Sequence, residues 1–459
     1  MLSLYTFVLF FLSFSGLVYA KSSDGDSVLV IVEDSHQDDF SLFFDDLRAQ
    51  GYELAFRAPK DEKPLLVEYD VPAFSHIIFF ASESKIFAKD ITPQSIVELV
   101  SGGTNLLIAL SSKQTPLSSL AAEFSLILPP PGTPLLSFFP ERSDPPSVIP
   151  IDAPASSAIL SSKMAPVWFS GVPLALGNNP LLVPILNAPM ESFAGDVDSG
   201  ADALVDATEK NGEGLWAGSQ LNVATGFQAV GGARVTWVGG VDVFSDKFAT
   251  KEVSKCVVRL FPHFVLYPTS RRGVKSGNTE FARDVAAWTF QESLVLRIDS
   301  TTHHLVNSTT PSDLYTTNDN IVFTAHISRF NPKTSKWVPY SDIQDMQLEF
   351  TMLDPHIRIA LPPVPGSPGK YSVTFRAPDR HGVFKFVINY KRKGWTHLHS
   401  STTVSVAPPR HDGYPRFLSA AWPYYAGAIS TSVGFFVFSA AWLGGESREG
   451  KKSKGGKAQ

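Results

Sequence analysis

Between Arg416 and Glu446 the chain carries no charged side chain, and this one interval decides which solvent every other segment can occupy. An uncharged apolar run of about 18 residues or more is the ordinary signature of a membrane-spanning helix. The tightest apolar part, Ala426 to Leu443, covers roughly 27 Å at the α-helical rise and matches a thin hydrocarbon layer. Trp422, Tyr424 and Tyr425 mark one interface and Trp442 the other. Arg448, Lys451, Lys452, Lys454 and Lys457 follow, so the positive-inside rule places the C-terminus in the cytosol. We expect a transmembrane helix over residues 418–443 and a basic cytosolic tail over 444–459. A span without ionisable residues has no ion or proton path of its own, which leaves anchoring or helix packing. Ala426, Ser430 and Gly434 recur at every fourth position. Such a stripe lets another backbone approach closely, although small residues are common in spanning helices in any case. Pro423 sits near the start of the helix, where its missing donor costs least.

At the other end, LYTFVLFFLSFSGLVYA is an apolar run closing on Val18 and Ala20, the small-residue spacing of a cleavage site. We therefore expect a signal peptide over residues 1–20 and a mature start at Lys21, although no Lys or Arg precedes the run. A cleaved signal followed by one terminal span gives a type I membrane protein with its bulk in the lumen. Close to 400 residues there are enough for two or three cores. Net charge is −5, and no basic run occurs outside the tail, which argues against nucleic acid as a partner. With one cysteine, Cys256, no internal disulfide is available, and that residue reads as a small buried hydrophobe. Asn307-Ser308-Thr309 is the one N-glycosylation acceptor, in polar surroundings that suit an exposed loop.

Residues 21–292 read as an α/β region. Ser27–Glu33 is an apolar run of strand length, and Phe40, Phe43, Phe44 and Leu47 recur at helical spacing up to Gly51. Two more strands are expected over Tyr52–Arg57 and Ser75–Phe80. A helix opens at Thr92-Pro93 and stops at Gly102-Gly103, before a further strand over Asn105–Leu110. The alternation predicts a mostly parallel, amidotransferase- or flavodoxin-like sheet with helices on both faces.

Such sheets bind ligands beyond the C-terminal ends of their strands. The residues there are unpromising for chemistry. Asp34, Ser35, His36, Asp38 and Asp39 follow the first strand and read as a solvated, helix-capping loop rather than a metal or acid/base cluster. After the Asn105–Leu110 strand, where an amidotransferase-like domain carries a cysteine nucleophile, stand Ser111, Ser112, Lys113 and Gln114. Neither a nucleophile elbow nor a phosphate-cradling glycine loop is present. We expect no catalytic, cofactor-binding or metal-binding residues.

Proline is dense from 129 to 154, which predicts a long excursion without regular structure. Glu191–Gly214 is acidic and glycine-rich, as in a mobile loop. Ala233–Val238 reads as a strand, followed by a turn at Gly239-Gly240 and a further short run, Val241–Phe244. A helix over Thr279–Gln291 presents Phe281, Val285 and Trp288 on one face. Residues 293–409 show period-two alternation: Ile321, Phe323, Ala325 and Ile327; Leu348, Phe350 and Met352; Tyr371, Val373 and Phe375; Phe384, Phe386, Ile388 and Tyr390. They predict a membrane-proximal antiparallel β-sandwich. His397 and His399 share a strand face but lack cysteine or carboxylate partners, and we read them, like His303-His304, as surface histidines.

Several ordered blocks carry a family resemblance: GGARVTWVGGVDVFSDKF, FARDVAAWTFQESLVLRIDSTTHHLV, KWVPYSDIQDMQLEFTMLDPHIR, GKYSVTFRAPDRHGVFKFVINYKRKGWTHLHSSTTVSV and YPRFLSAAWPYYAGAISTSVGFFVFSAAWL. The chain resembles the single-span, non-catalytic subunit of the endoplasmic reticulum oligosaccharyltransferase complex, the Wbp/DDOST family. SVLVIVED and SLFFDDLRAQGYELAFRA extend the match more loosely to the first region. The resemblance implies residence in the endoplasmic reticulum membrane and support for transfer of a lipid-linked oligosaccharide to Asn in Asn-X-Ser/Thr sequons. It also implies three partners: a multispan catalytic subunit, a ribophorin II-type subunit and a small defender-against-cell-death-type subunit. Relatives can end in a cytosolic dilysine signal; here Lys457 is preceded by Gly455 and Gly456, so retention through assembly is expected.

Two other functions stand as alternatives. A lumenal hydrolase or amidotransferase would have to use Ser111, Ser112 or His36, yet nothing in the sequence signals a base and an orienting third group. A glycan-binding or chaperone-type membrane protein would stack sugar on Trp168, Trp216 or Trp395, residues that core packing explains equally well.

Overall fold

Strand β1 (Ser27–Ile31) serves two cores at once: Val28 and Val30 join one hydrophobic cluster, while Leu29 and Ile31 join another. A strand apolar on both faces needs a covering layer on each. In the computed structural model, which describes residues 21–139, 143–154, 157–196, 205, 215–252, 275–414, 416 and 418–445, those layers are helices. Helix α1 (Ser41–Ala49) covers one face with Phe43, Phe44 and Leu47. Strands β2 (Glu53–Arg57) and β3 (His76–Phe79) follow. Helix α2 (Pro93–Ser101) then covers the opposite face with Ile96, Leu99 and Val100. Its start is held by a capping box in which Thr92 and Ser95 satisfy each other's backbone N–H groups. Strand β4 (Asn105–Ala109) leads to α3 (Pro116–Glu123) on the α2 side.

Strands β5 (Leu182–Asn187), β6 (Asn222–Gln228) and β7 (Arg234–Val238) complete a seven-stranded sheet in the order β5-β6-β7-β4-β3-β1-β2. Neighbours from β7 to β2 are parallel. The pairs β5-β6 and β6-β7 are antiparallel. Helix α4 (Asn278–Thr289) returns to the α1 face, burying Phe281, Val285 and Trp288 as its spacing predicts.

Two local expectations need correction. The proline-dense stretch contains short pairings: Ile149–Ile151 runs antiparallel to Val167–Phe169, and Leu135–Leu136 to Phe193–Ala194. Pro150 is tolerated because a two-stranded ribbon leaves it an edge position with no ladder bond to donate. Val241–Phe244 is a 3₁₀ turn. The glycines before it are needed for close approach of backbones, since a Cβ on Gly239 would lie 1.8 Å from the Val172 carbonyl oxygen and one on Gly240 1.9 Å from that of Ser170.

The second half is built from β8 (Leu296–Leu305), β9 (Leu314–Thr316), β10 (Asn320–Asn331), β11 (Lys336–Pro339), β12 (Gln347–Thr351), β13 (Pro355–Ala360), β14 (Lys370–Arg376), β15 (Gly382–Tyr390) and β16 (Leu398–Ala407). In one sheet β10 pairs with β8, β11 and β14; in the other the order is β9-β16-β15-β12-β13. All pairs are antiparallel except β9 with β16. The apolar faces read from the sequence meet across the gap, with Phe323 and Phe386 rings 5.2 Å apart. His303 is part of that core, contrary to its reading as a surface residue. Its ring stacks on Phe386 at 4.9 Å and Nδ1 lies 2.8 Å from the Tyr315 hydroxyl. Burial, ahead of the influence of Asp313 and His304, moves its pKa below the usual histidine value.

Helix α5 (Trp422–Gly445) begins four residues later than expected, because Ser419–Ala421 forms a 3₁₀ turn. Together Ser419–Gly444 is long and apolar enough to cross a membrane, and none of it is buried. The expected signal peptide over residues 1–20, Cys256, Lys457 and the residues of the expected basic tail after Gly445 lie outside the described residues, as does most of Glu191–Gly214.

Candidate functional site

The C-terminal ends of β1, β3, β4 and β7 open into a crevice of about 710 Å³, at the place where sheets of this kind carry ligands. Glu33, His36, Asp38 and Asp39 line it from β1, Glu83 from β3, Ser111 and Ser112 from β4, and Asp242, Asp246 and Lys247 from β7. The loop after β1 thus converges with the serines after β4, which its consecutive residues did not suggest. It is a 3₁₀ turn over Asp34–Phe40 and does not cap α1. That cap comes from Asp246, whose carboxylate accepts from the Ser41 N–H (3.1 Å), the Ser41 hydroxyl (2.6 Å) and the Leu42 N–H (3.0 Å).

Most polar groups in the crevice are spent on one another in water. His36 Nδ1 lies 2.9 Å from Asp39, both side chains 61% exposed. Lys113 pairs with Glu83 at 2.6 Å, and Ser84 donates to Glu33 at 2.9 Å. Ser111 Oγ accepts the Lys113 N–H at 3.3 Å. Among the described residues neither Ser111 nor Ser112 bonds to His36, so the relay a serine nucleophile requires is not assembled. The Asp242 carboxyl pKa is raised, mainly by the desolvation of a side chain that still reaches the crevice surface; Lys247 opposes the shift, and Glu83 and Asp39 add to it. No three His, Cys, Asp or Glu side chains among the described residues are grouped to hold a metal ion. His397 is half-buried and His399 exposed. Trp168 and Trp395 are buried and Trp216 is partly buried, each packed into the structure.

The opposite end of the sheet holds what sequence reasoning missed. Asn105, at the start of β4, is fully buried and bonds four ways. Its Nδ2 donates to Asp24 (3.0 Å) and His76 Nδ1 (3.2 Å), and its Oδ1 accepts the Arg234 N–H (2.9 Å) and Gln291 Nε2 (3.2 Å). Gln291 also reaches Asp24 at 2.5 Å and the Gly232 carbonyl at 3.1 Å. His76 Nε2 donates to the Gly25 carbonyl at 3.0 Å. Both ring nitrogens are therefore engaged in the neutral form, and burial, partly offset by that carbonyl, lowers the pKa to about 4.

Arg234 runs from this network into the second half. Its guanidinium donates to the carbonyls of Trp288 (2.7 Å), Ser293 (2.8 Å) and Leu294 (3.0 Å) and to Thr396 Oγ1 (3.2 Å), and it lies over the Trp288 ring at 5.0 Å. Complete burial lowers its pKa to about 9, with Asp24 opposing. Trp288 Nε1 donates to the Gly394 carbonyl at 2.8 Å, Gln228 donates to the Trp395 carbonyl, and Tyr52 donates to the buried Glu292 at 2.5 Å. One hydrophobic cluster runs through both halves. The available signal was an arginine, the one charged residue, inside the strand-like run ARVTWV.

On α5, Ala426, Ser430 and Gly434 are exposed, among the described residues nothing lies within 4 Å of where a Cβ on Gly434 would stand, and Ser430 Oγ donates to the Gly427 carbonyl at 2.9 Å. Asn307 is exposed just past the end of β8.

Residues 19–292 match the family model described as OST48, N-terminal domain, and residues 303–446 match the OST48 middle domain. The chain is 34% identical over 454 residues to the "Dolichyl-diphosphooligosaccharide--protein glycosyltransferase 48 kDa subunit" of Danio rerio, covering 97% of each chain. It is 31% identical over 431 residues to the protein of the same name from Caenorhabditis elegans, covering 91% of each. Among solved structures, "mmIFT52 N-terminal domain" overlays 57% of this chain and 96% of its own at 10% identity with a TM-score of 0.37, too distant to bear on function.

Proposed function

The chain belongs to the OST48 family and is a subunit of oligosaccharyltransferase acting in protein N-glycosylation; from that premise we propose that it is a non-catalytic, shape-giving subunit. The carrying observation is where the buried polar groups lie. The most densely bonded of them, Asn105, Arg234 and Gln291, join the two halves of the ectodomain, while the crevice at the C-terminal end of the sheet has mostly exposed, mutually paired side chains. Moving a glycan from a polyisoprenoid diphosphate needs a substrate groove in the membrane, and one helix cannot enclose it. In this reading the seven-stranded region is an amidotransferase-like scaffold without the chemistry, spanning residues 21–292. Residues 293–409 form a β-sandwich beside the bilayer. The bulk of the chain faces the lumen of the endoplasmic reticulum, with α5 as a type I anchor.

We further propose that α5 packs through Ala426, Ser430 and Gly434 against the multispan catalytic subunit, the ribophorin II-type subunit or the small defender-against-cell-death-type subunit. Gly434→Leu then reduces co-purification of that partner without unfolding the ectodomain, and an unchanged complex removes the proposal. Glycosylation at Asn307 would appear as a mass lost on endoglycosidase treatment and absent from Asn307→Gln. The function itself is tested in membranes depleted of this chain. Sequon-peptide transfer should fall on depletion and return with a copy carrying Ser111→Ala and Ser112→Ala; failure of that copy to restore transfer would return the crevice to candidacy as a catalytic site.

A further inference from the structure

The exposed apolar side chains of the β-sheet half are gathered at one end. Among the described residues of 296–407, Val306, Leu314, Leu353 and Val383 are exposed there, and Val338 is exposed at the other end. Pairing registers define the common end: Leu305 sits opposite Ile321, Asn320 opposite Arg376, Thr316 opposite Ala407, and Gly382 opposite Val406. Three of the four form a row. Leu314 and Val383 flank Ser405 from β9 and β15. The turn bearing Leu353 folds against the start of β15, with Met352 Sδ 2.7 Å from where a Cβ on Gly382 would stand. Leu353 itself is 93% exposed, so an apolar cover would gain the free energy of taking its whole side chain out of water.

Ala407, beside this row, is also where the chain leaves for α5. Residues 408–421 join the two, at most about 50 Å if fully extended, and 3₁₀ turns at His411–Gly413 and Ser419–Ala421 shorten that reach. We propose that this rim, with Leu353 at its tip and Val383 and Leu314 behind it, rests in the headgroup layer of the bilayer that α5 crosses. The proposal depends on reading α5 as a span. The fringe is of mixed charge, with Arg380, His381 and Lys385 exposed beside Asp354 and Asp379, which suits zwitterionic headgroups. Seating the rim in this way fixes the height and tilt of the ectodomain over the membrane, something a single flexible tether does not do.

The test uses the full chain in phosphatidylcholine nanodiscs, with Cys256→Ser and one new cysteine at a time carrying an environment-sensitive fluorophore. Headgroup-spin-labelled lipid should quench the Leu353→Cys label at least twofold and leave the Val338→Cys label unchanged. Acyl-chain-labelled lipid should quench Phe436→Cys. Quenching at 436 without quenching at 353 leaves the span intact and overturns the rim contact. Loss of quenching at 436 overturns the span reading and the rim with it. A 353 label quenched by lipid in the isolated chain but cross-linked to a neighbouring subunit in the assembled complex would assign the row to that subunit and overturn the proposal.

Discussion

The two ends of the seven-stranded sheet differ in what they do with polar side chains. At the C-terminal end, around Glu33, His36, Glu83 and Asp242, carboxylates and serines line an open crevice and pair with near neighbours. At the N-terminal end, Asp24, His76, Asn105, Arg234 and Gln291 are knitted together mostly out of water and reach across to Leu294 and Thr396. In sheets of this kind the first end ordinarily carries chemistry. Here the buried polar network that bridges the two halves is at the second, which teaches that this fold invests in holding its two halves together.

The largest effect that can break this contrast comes from Arg234. Arg234→Leu withdraws the guanidinium from the carbonyls of Trp288, Ser293 and Leu294 and removes the buried positive charge that Asp24 favours, so stability should fall by about 3–5 kcal/mol. Denaturant unfolding of the full chain in detergent checks this. Limited proteolysis should also cut sooner near residues 291–296.

His76 supplies a pH signature. The unfolded chain takes up its proton near pH 6.5, whereas the folded ring resists until about pH 4. The stabilisation is therefore complete above pH 6.5 and is lost as pH falls toward 4, by about 3 kcal/mol. Buried Glu292 works in the opposite sense, because its raised carboxyl pKa makes the fold take up a proton before the unfolded chain does. The wild type should thus lose stability more steeply between pH 6.5 and 4 than His76→Gln, and parallel pH profiles for the two would remove His76 from the network.

At the crevice end the expected effects are smaller. Gly239→Ala drives a Cβ into the Val172 carbonyl and should cost about 1–3 kcal/mol by overpacking, read as a lower unfolding midpoint. The triple change His36→Ala, Ser111→Ala, Ser112→Ala touches exposed or half-exposed groups and should alter stability by less than about 0.5 kcal/mol, with peptide glycosylation by the complex unchanged. A large loss of transfer there would reverse the comparison between the two ends.

Much of the architecture was legible. The runs SVLVIVE and NLLIAL announced buried parallel strands because both faces are apolar, and the alternation of Phe384, Phe386 and Ile388 announced a sheet with one wet face. The antiparallel additions β5 and β6 were missed: β5 carries Pro184, and β6 reads NVATGFQ, with small and polar residues that are buried only because neighbours cover them. The mouth of the sheet was placed correctly, but convergence of His36 with Ser111 and Ser112 depends on β1 and β4 both lying beside β3, a fact of strand order that local pattern does not encode. The joint was invisible for a related reason. Asn105, Arg234 and Gln291 are far apart in the chain, and each alone is an ordinary polar residue near the end of an element.

The central claim is that this chain gives form to an active site it does not contain. Its most direct test gives the purified full chain, free of other subunits, a lipid-linked oligosaccharide, a divalent cation and a sequon peptide, beside the intact complex under the same conditions. The account predicts glycopeptide from the complex and none from the chain alone; glycopeptide formed by the isolated chain would contradict it.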